Sequence, residues 1–279
     1  MTSSIPNNGN AGDSGKEHGL STDNRRRKLM HYILEAGAAQ VDELMAAFGV
    51  SRMTVHRDLD ELQRQGVVRK IRGGATAEPS TLFESDFRYR VHQGQREKHA
   101  IARHAARYIE PGQSIFMDES TTVLALTDYL NASLPLTIAT NGMSVVDAVR
   151  EVDGIDLIVL GGNYNRRFYG FFGLYTEQII ESLRINTLFM SASAVVGTIT
   201  YNQNQQVVKV KRAMMAVAEQ RILLVDQHKF SMSALNRLAD LREFDRVIVD
   251  DGLSEDLKTS LLEQQVKLEI VQLNRESKK

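Results

Sequence analysis

Apolar residues in the first hundred positions recur at helical spacing. Leu29, Tyr32, Ile33 and Ala36 fall at i, i+3, i+4 and i+7, one face of a helix that opens at Asp23 and stops at Gly37. VDELMAAF (41–48) reads as a second short helix with Leu44 and Phe48 inward and Gly49 as its stop. A third begins after Ser51, a good N-cap, with Val55, Leu59 and Leu62 toward a core. Its opposite face carries Arg52, Thr54, His56, Arg57 and Arg64, and Gly66 ends it. VVRKIR (67–72) then has strand character, and Gly73-Gly74 marks a turn. A further helix over Gln95–Ile109 repeats Ile101, Ala105 and Ile109 and ends at Pro111-Gly112.

Beyond residue 112 the pattern changes to short apolar runs separated by amphipathic helical stretches. The runs are 114–118, 136–140, 156–162, 187–193, 221–226, 246–250 and 267–273. Runs without alternation are strands buried on both faces, as in a mainly parallel sheet with helices on both sides. The expected fold class is therefore α/β: an N-terminal winged helix-turn-helix followed by a larger α/β domain. The boundaries read as a disordered polar tail (1–22), the winged helix (23–76), a linker (77–94) and the α/β domain (95–279).

Charge sharpens this division. The whole chain has a net charge of −1, but residues 25–72 hold ten Lys/Arg against six Asp/Glu, a net of +4 that leaves −5 elsewhere. A globally basic nucleic-acid binder is excluded and a local anion-facing patch is not. The 279 residues contain no Cys, which excludes disulfides, thiol catalysis and Cys zinc sites. The apolar runs are too short to span a bilayer and the first twenty residues lack a secretory pattern, so a cytoplasmic protein without a membrane partner is expected.

The third helix suits entry into a DNA major groove, with its N-terminal turn toward base edges and phosphates. The candidate contacts are Ser51, Arg52, Met53, Thr54, His56 and Arg57, with Arg69, Lys70 and Arg72 on the wing. Arg52 is the candidate for base edges. Asp58, Asp60 and Glu61 would repel phosphate and should face away, Asp58 by orienting a basic side chain. Arg25–Lys28 reads equally as a backbone contact or as a solvated cluster.

A second set of polar residues follows the strands at their carboxyl ends, where ligands bind in open α/β sheets. It comprises Asp118, Ser120, Thr121, Thr122, Thr140, Asn141, Gly161, Gly162 and Asp226, with Lys211 and Lys229 as cations for an anionic ligand. Ser120–Thr122 precede a helix whose free N–H groups make a phosphate seat. Gly161-Gly162 reads either as a close approach to the ligand or as a plain turn.

The segment GVSRMTVHRDLDELQRQGVVRKIRGGAT (49–76) resembles the N-terminal domain of the DeoR family of bacterial sugar-metabolism regulators. Asp118–Thr122, Thr140-Asn141, Leu160–Gly162, Gly170, Gly173, Lys211–Met214 and Asp226…Lys229-Phe230 are similar to its C-terminal sensor domain. The resemblance implies a fold like that of ribose-5-phosphate isomerases and a phosphorylated sugar as effector. The sequence departs from the family pattern at His56, Ser120, Gln206-Val207 and Gln227-His228.

Together these readings predict a transcription regulator, a repressor of a carbohydrate-metabolism operon. Its expected partners are double-stranded operator DNA, a phosphorylated sugar effector and further copies of itself as a homo-oligomer. No cofactor, metal site or catalytic set is expected: the seven His residues form no HExxH or close ligand pair. Two alternatives stay open. One is an isomerase-like enzyme with a DNA-binding appendage, disfavoured by Gln206 where a proton-accepting acid would stand. The other is an activator whose pocket is vestigial.

Overall fold

The computed structural model describes residues 22–80 and 83–273. The expected polar tail lies outside the described residues except for Thr22, which opens the first helix. The N-terminal unit consists of α1 (Thr22–Ala36), β1 (Ala38–Gln40), α2 (Val41–Phe48), α3 (Arg52–Arg64), β2 (Arg69–Ile71) and β3 (Gly74–Thr76). Leu29, Ile33, Leu44, Val55, Leu59 and Leu62 make its core with Val67, Val68 and Ala75. The buried stripe of α1 is Leu29, Met30, Ile33 and Leu34. Tyr32 and Ala36, expected inside, lie on the exposed side. Leu29 and Ile33 belong to both candidate stripes, so spacing alone did not choose between them. Tyr32 instead packs edge-on against Phe48, with ring centroids 6.0 Å apart.

Two local features hold α3 in place. The Ser51 hydroxyl caps it by accepting from the Thr54 N–H at 3.3 Å. On its inner face the fully buried Asp58 accepts from Arg25 Nε at 2.7 Å and Arg26 Nε at 2.9 Å, fastening α1 to α3. Strands β1, β3 and β2 form one antiparallel sheet, the wing. Here β1 passes so close to Gly74 that an added Cβ would lie 2.2 Å from the Ala39 carbonyl oxygen.

The segment expected as a linker is built: it carries α4 (Phe87–Arg90) and leads into α5 (Gln95–Ala105). The larger unit then runs β4 (Ser114–Met117), α6 (Thr121–Leu124), β5 (Leu136–Thr140), α7 (Met143–Val149), β6 (Ile155–Val159), β7 (Asn163–Asn165), β8 (Gly170–Phe172) and α8 (Leu174–Glu181). It continues with β9 (Ile185–Met190), β10 (Ala194–Val196), β11 (Ile199–Asn202), α9 (Gln205–Val217), β12 (Ala218–Leu224), β13 (Asn236–Asp240), β14 (Arg246–Asp250), α10 (Glu255–Glu263) and β15 (Leu268–Val271).

All seven apolar runs lie in one parallel sheet of order β15-β14-β12-β9-β4-β5-β6. Both of its faces are buried. Phe116, Leu188, Leu223 and Val247 point to a core shared with α8, α9 and α10. Their chain neighbours Ile115, Phe189, Ile222 and Ile248 point to a second core shared with α5 and α7. A strand with an apolar neighbour on each face has no polar alternation, hence the continuous runs. Met214 and Met215 fill the first core.

The order reverses between β4 and β9: β5 and β6 continue to one side, β12, β14 and β15 to the other. This is the topological switch point, where the loops after two adjacent strands diverge and leave a crevice. Two smaller sheets flank it, the hairpin β7–β8 and the antiparallel set β10-β11-β13. Their short, partly polar strands give no apolar run, and the sequence pattern does not reveal them.

Candidate functional site

The outward face of α3 and the wing form the first candidate surface. Ser51, Arg52, Met53, Arg57 and Arg72 are exposed, and Thr54, His56, Arg69 and Lys70 half-buried. Arg52 pairs with Asp42 on α2, and Lys70 Nζ lies 2.6 Å from Asp60. Such exposed pairs are worth about 0–1 kcal/mol, so a phosphate can displace the carboxylate. Arg57 and Arg72 have no ion pair among the described residues. Asp58 is turned inward onto Arg25 and Arg26, which removes those two arginines from the outer surface. Asp60 and Glu61 are neutralised in pairs with Lys70 and Arg64.

The second candidate site is the crevice at the switch point. Its floor is an ionic cluster. Lys211, from α9, is fully buried and its ammonium donates to Asp118 and, at 3.1 Å, to the Ser191 carbonyl. Glu119 Oε1 is 3.2 Å from the same ammonium. Burial alone would push this lysine down, but Asp118 and Glu119 more than reverse that and hold it above the usual lysine value. The other Asp118 contacts are backbone N–H donors: Ser120 at 2.9 Å and Ser191 at 2.8 Å. Asp118 thus ties together the loops that leave β4 and β9.

Above this floor lies a cavity lined by Glu119, Ser120, Thr121, Thr122, Ser191, Ser193, Asn202, Phe168, Lys211 and Lys229. Glu84 and Arg90, from the segment between the two units, line it too. The Ser193 hydroxyl donates to the Glu84 carboxylate and accepts from Asn202 Nδ2 at 2.9 Å. Asn202 Oδ1 and Arg90 Nη2 are buried with no partner, so polar atoms there lack a hydrogen bond.

An adjoining cavity is lined by Arg90, Lys98, Thr121, Asp226, His228 and Lys229, with Tyr89 and Met232 on its apolar side. Lys98, on α5, is 5% exposed, and its ammonium donates to the Arg90 carbonyl. It has no carboxylate partner among the described residues. Burial, with the charges of Lys229 and Arg90, pushes it down to about 7.

Most of the expected ligand residues converge here: Asp118, Ser120, Thr121, Thr122, Lys211, Asp226 and Lys229. Asp118 sits beneath the cavity and does not line it. Thr140, Asn141, Gly161 and Gly162 lie outside both cavities. Thr140 donates to the Met117 carbonyl at 2.6 Å, and Asn141 donates to Glu119 at 3.2 Å, orienting it from behind. Gly161 and Gly162 form the turn from β6 into the β7–β8 hairpin. The Gly161 carbonyl accepts from Thr176, and an added Cβ at Gly162 would lie 2.2 Å from the Thr176 hydroxyl. Sequence reasoning missed Glu84, Arg90, Lys98 and Asn202. Lys98 did carry a signal: it stands one turn before the apolar stripe of a helix otherwise rich in exposed charge.

Among the described residues no cluster of His, Asp and Glu is set to hold a metal ion, and no helix is long and apolar enough to cross a membrane.

Residues 25–81 match the family model of the DeoR-like helix-turn-helix domain, and residues 93–251 that of the DeoR C terminal sensor domain. The HTH-type transcriptional regulator IolR of Bacillus subtilis is 31% identical, over 87% of this chain and 96% of its own. The glycerol-3-phosphate regulon repressor of Haemophilus influenzae is 30% identical over 88% and 95%. The L-fucose operon activator of the same organism is 30% identical over 84% and 94%. Among solved structures, ribose 5 phosphate isomerase A from Neisseria gonorrhoeae overlaps 48% of this chain and 53% of its own, at 11% identity and a TM-score of 0.35. The helix-turn-helix, the sensor-domain match and the relatives that align along nearly their whole length agree: this chain belongs to the DeoR family of DNA-binding transcription regulators.

Proposed function

We propose that the protein is a cytoplasmic repressor of a carbohydrate-metabolism operon. It binds operator DNA as a homo-oligomer and is controlled by a phosphorylated sugar in the switch-point crevice. One observation carries the control. Glu84 and Arg90, which belong to the segment joining the DNA-reading unit to the sheet, line the same cavity as Ser120, Lys211 and Lys229. A ligand seated there touches the connection itself, so its binding energy can favour one arrangement of the two units.

The chemistry supports an anion with hydroxyls. The buried Lys98 ammonium has no carboxylate within ion-pair distance among the described residues. Lys229, Arg90 and the Thr121 hydroxyl line the same cavity, and its three cations outnumber the acids Asp226 and Glu84, which supports a seat for phosphate. Ser193, Asn202 and Glu119 beyond it suit sugar hydroxyls. Ser51–Arg57, Arg69, Lys70 and Arg72 take the operator. A helix-turn-helix reads two half-sites with two copies, hence the oligomer. Repression needs only occupancy of the operator.

A sensing role fits better than catalysis. Lys211 is held by two carboxylates and Asp118 accepts from three donors, so both are taken up by contacts within the fold. Gln206, exposed on α9, has no proton to exchange at neutral pH.

The test is fluorescence anisotropy of the full chain on labelled DNA flanking its own gene, first across salt concentrations and then with a panel of sugar phosphates. Tight, salt-sensitive binding that one sugar phosphate reverses is expected. Turnover of any of these compounds that Asp118→Ala abolishes would overturn the sensor reading.

A further inference from the structure

Met53 is 72% exposed, the most of any large apolar side chain among the described residues. Within the winged helix the other exposed large hydrophobic, Tyr32, is covered in part by Phe48. Met53 has no such cover. It stands in the first turn of α3, two residues after the Ser51 cap, on the stripe that also carries His56, Arg57 and Asp60. The opposite stripe, Val55, Asp58, Leu59 and Leu62, is the buried one. Packing within the chain therefore does not account for an apolar residue here.

Groove chemistry does. In a helix-turn-helix the first turn of the recognition helix meets base edges. The floor of the major groove offers donors and acceptors at every base pair and one apolar group, the thymine 5-methyl. A thioether on a flexible, unbranched stem adapts to such a methyl. We infer that Met53 reads a thymine through its 5-methyl group. This rests on the DNA-binding reading above and adds a base identity to it. Arg57 lies four residues on, about 6 Å along the helix, which spans about two base-pair steps. Its guanidinium is free to take a guanine edge beside that thymine.

The experiment starts from the DNA that the full chain selects out of a randomised pool. Each thymine of the selected site is replaced in turn by deoxyuridine, which removes only the methyl. Affinities are measured for the wild type, Met53→Ala and Met53→Leu. Thermal unfolding serves as a control, since an exposed side chain should leave it unchanged. For the wild type, one replacement per half-site is expected to weaken binding about three- to sixfold. Met53→Ala should be indifferent to that same replacement, and Met53→Leu should keep most of the sensitivity. Tight, sequence-selective binding in which no thymine distinguishes the wild type from Met53→Ala overturns the inference and leaves DNA binding intact. Failure to enrich any sequence overturns both readings together.

Discussion

Arg167, in the turn between β7 and β8, donates from Nε to the Glu84 carbonyl at 2.8 Å. Its own carbonyl accepts from the Phe87 N–H at 2.9 Å, and its guanidinium lies 4.2 Å from the Phe83 ring centre. The same side chain reaches the end of α3, where an added Cβ on Gly66 would come within 3.4 Å of Arg167 Cδ. Its neighbour Phe168 lines the cavity. Arg167 thus fastens the connecting segment, approaches the turn that follows α3, and adjoins Phe168 of the cavity wall. Arg167→Ala is expected to leave the affinity for the sugar phosphate within about threefold. It should also reduce the effect of that ligand on DNA affinity to near unity. Calorimetry for the ligand and anisotropy for DNA separate the two. Undiminished control by the ligand would remove Arg167 from the coupling.

The ammonium of Lys98 makes ligand binding depend on pH. Its folded value is about 7 against an ordinary 10.5. Between these values the unfolded chain holds the proton and the folded, empty protein does not. The group therefore adds stability to the empty protein as pH rises through this window. An anion beside it favours the charged form. Above pH 7 binding should take up about one proton, and affinity should fall by up to about tenfold per pH unit. Calorimetry in buffers of different ionisation enthalpy measures the uptake. Lys98→Arg, charged throughout, should flatten the profile between pH 7 and 9. A wild-type profile already flat there would remove Lys98 from the phosphate seat.

Lys211→Met leaves Asp118 and Glu119 facing each other without a counter-charge in a fully buried site. Breaking a buried pair from one side costs about 3–5 kcal/mol. Urea unfolding should show a loss of that size. The double variant Asp118→Asn/Lys211→Met should recover part of it, because it removes one of the two stranded charges and leaves Glu119. A loss below about 1 kcal/mol would mean that the cluster is solvated.

The DNA face separates by salt dependence. Lys70→Ala removes a wing cation aimed at backbone and should weaken binding evenly across sequences, lowering the salt slope by about one. Arg52→Ala, in the first turn of α3, should relax preference at one base position. Anisotropy on matched and mismatched DNA across salt distinguishes them. Equal losses on every sequence would move Arg52 to the backbone.

Local residue patterns specify the fold class and the main elements. The three helices, the Ser51 cap, one strand of the wing and all seven strands of the parallel sheet were legible, because each rests on a local rule. Caps act within one turn, glycines stop helices at the next residue, and burial on two faces writes a continuous apolar run. The same patterns single out Ser120–Thr122 and Lys229, which follow strand ends, and Lys211 on α9, all of which line the cavity.

Which strand ends share a crevice is settled by long-range packing. Thr140 and Gly161-Gly162 follow strands as clearly as Asp118 does, yet β5 and β6 lie on the outer side of the switch point, and their loops serve as supports. Glu84 and Arg90 were hidden for the converse reason, and Lys98 showed only as a lysine on the buried face of its helix. They sit in a connecting segment and a helix, and reach the site because the chain folds back across the open ends of β4 and β9. Strand order and chain return are long-range choices, settled by packing two cores at once, and no local pattern of residues encodes them.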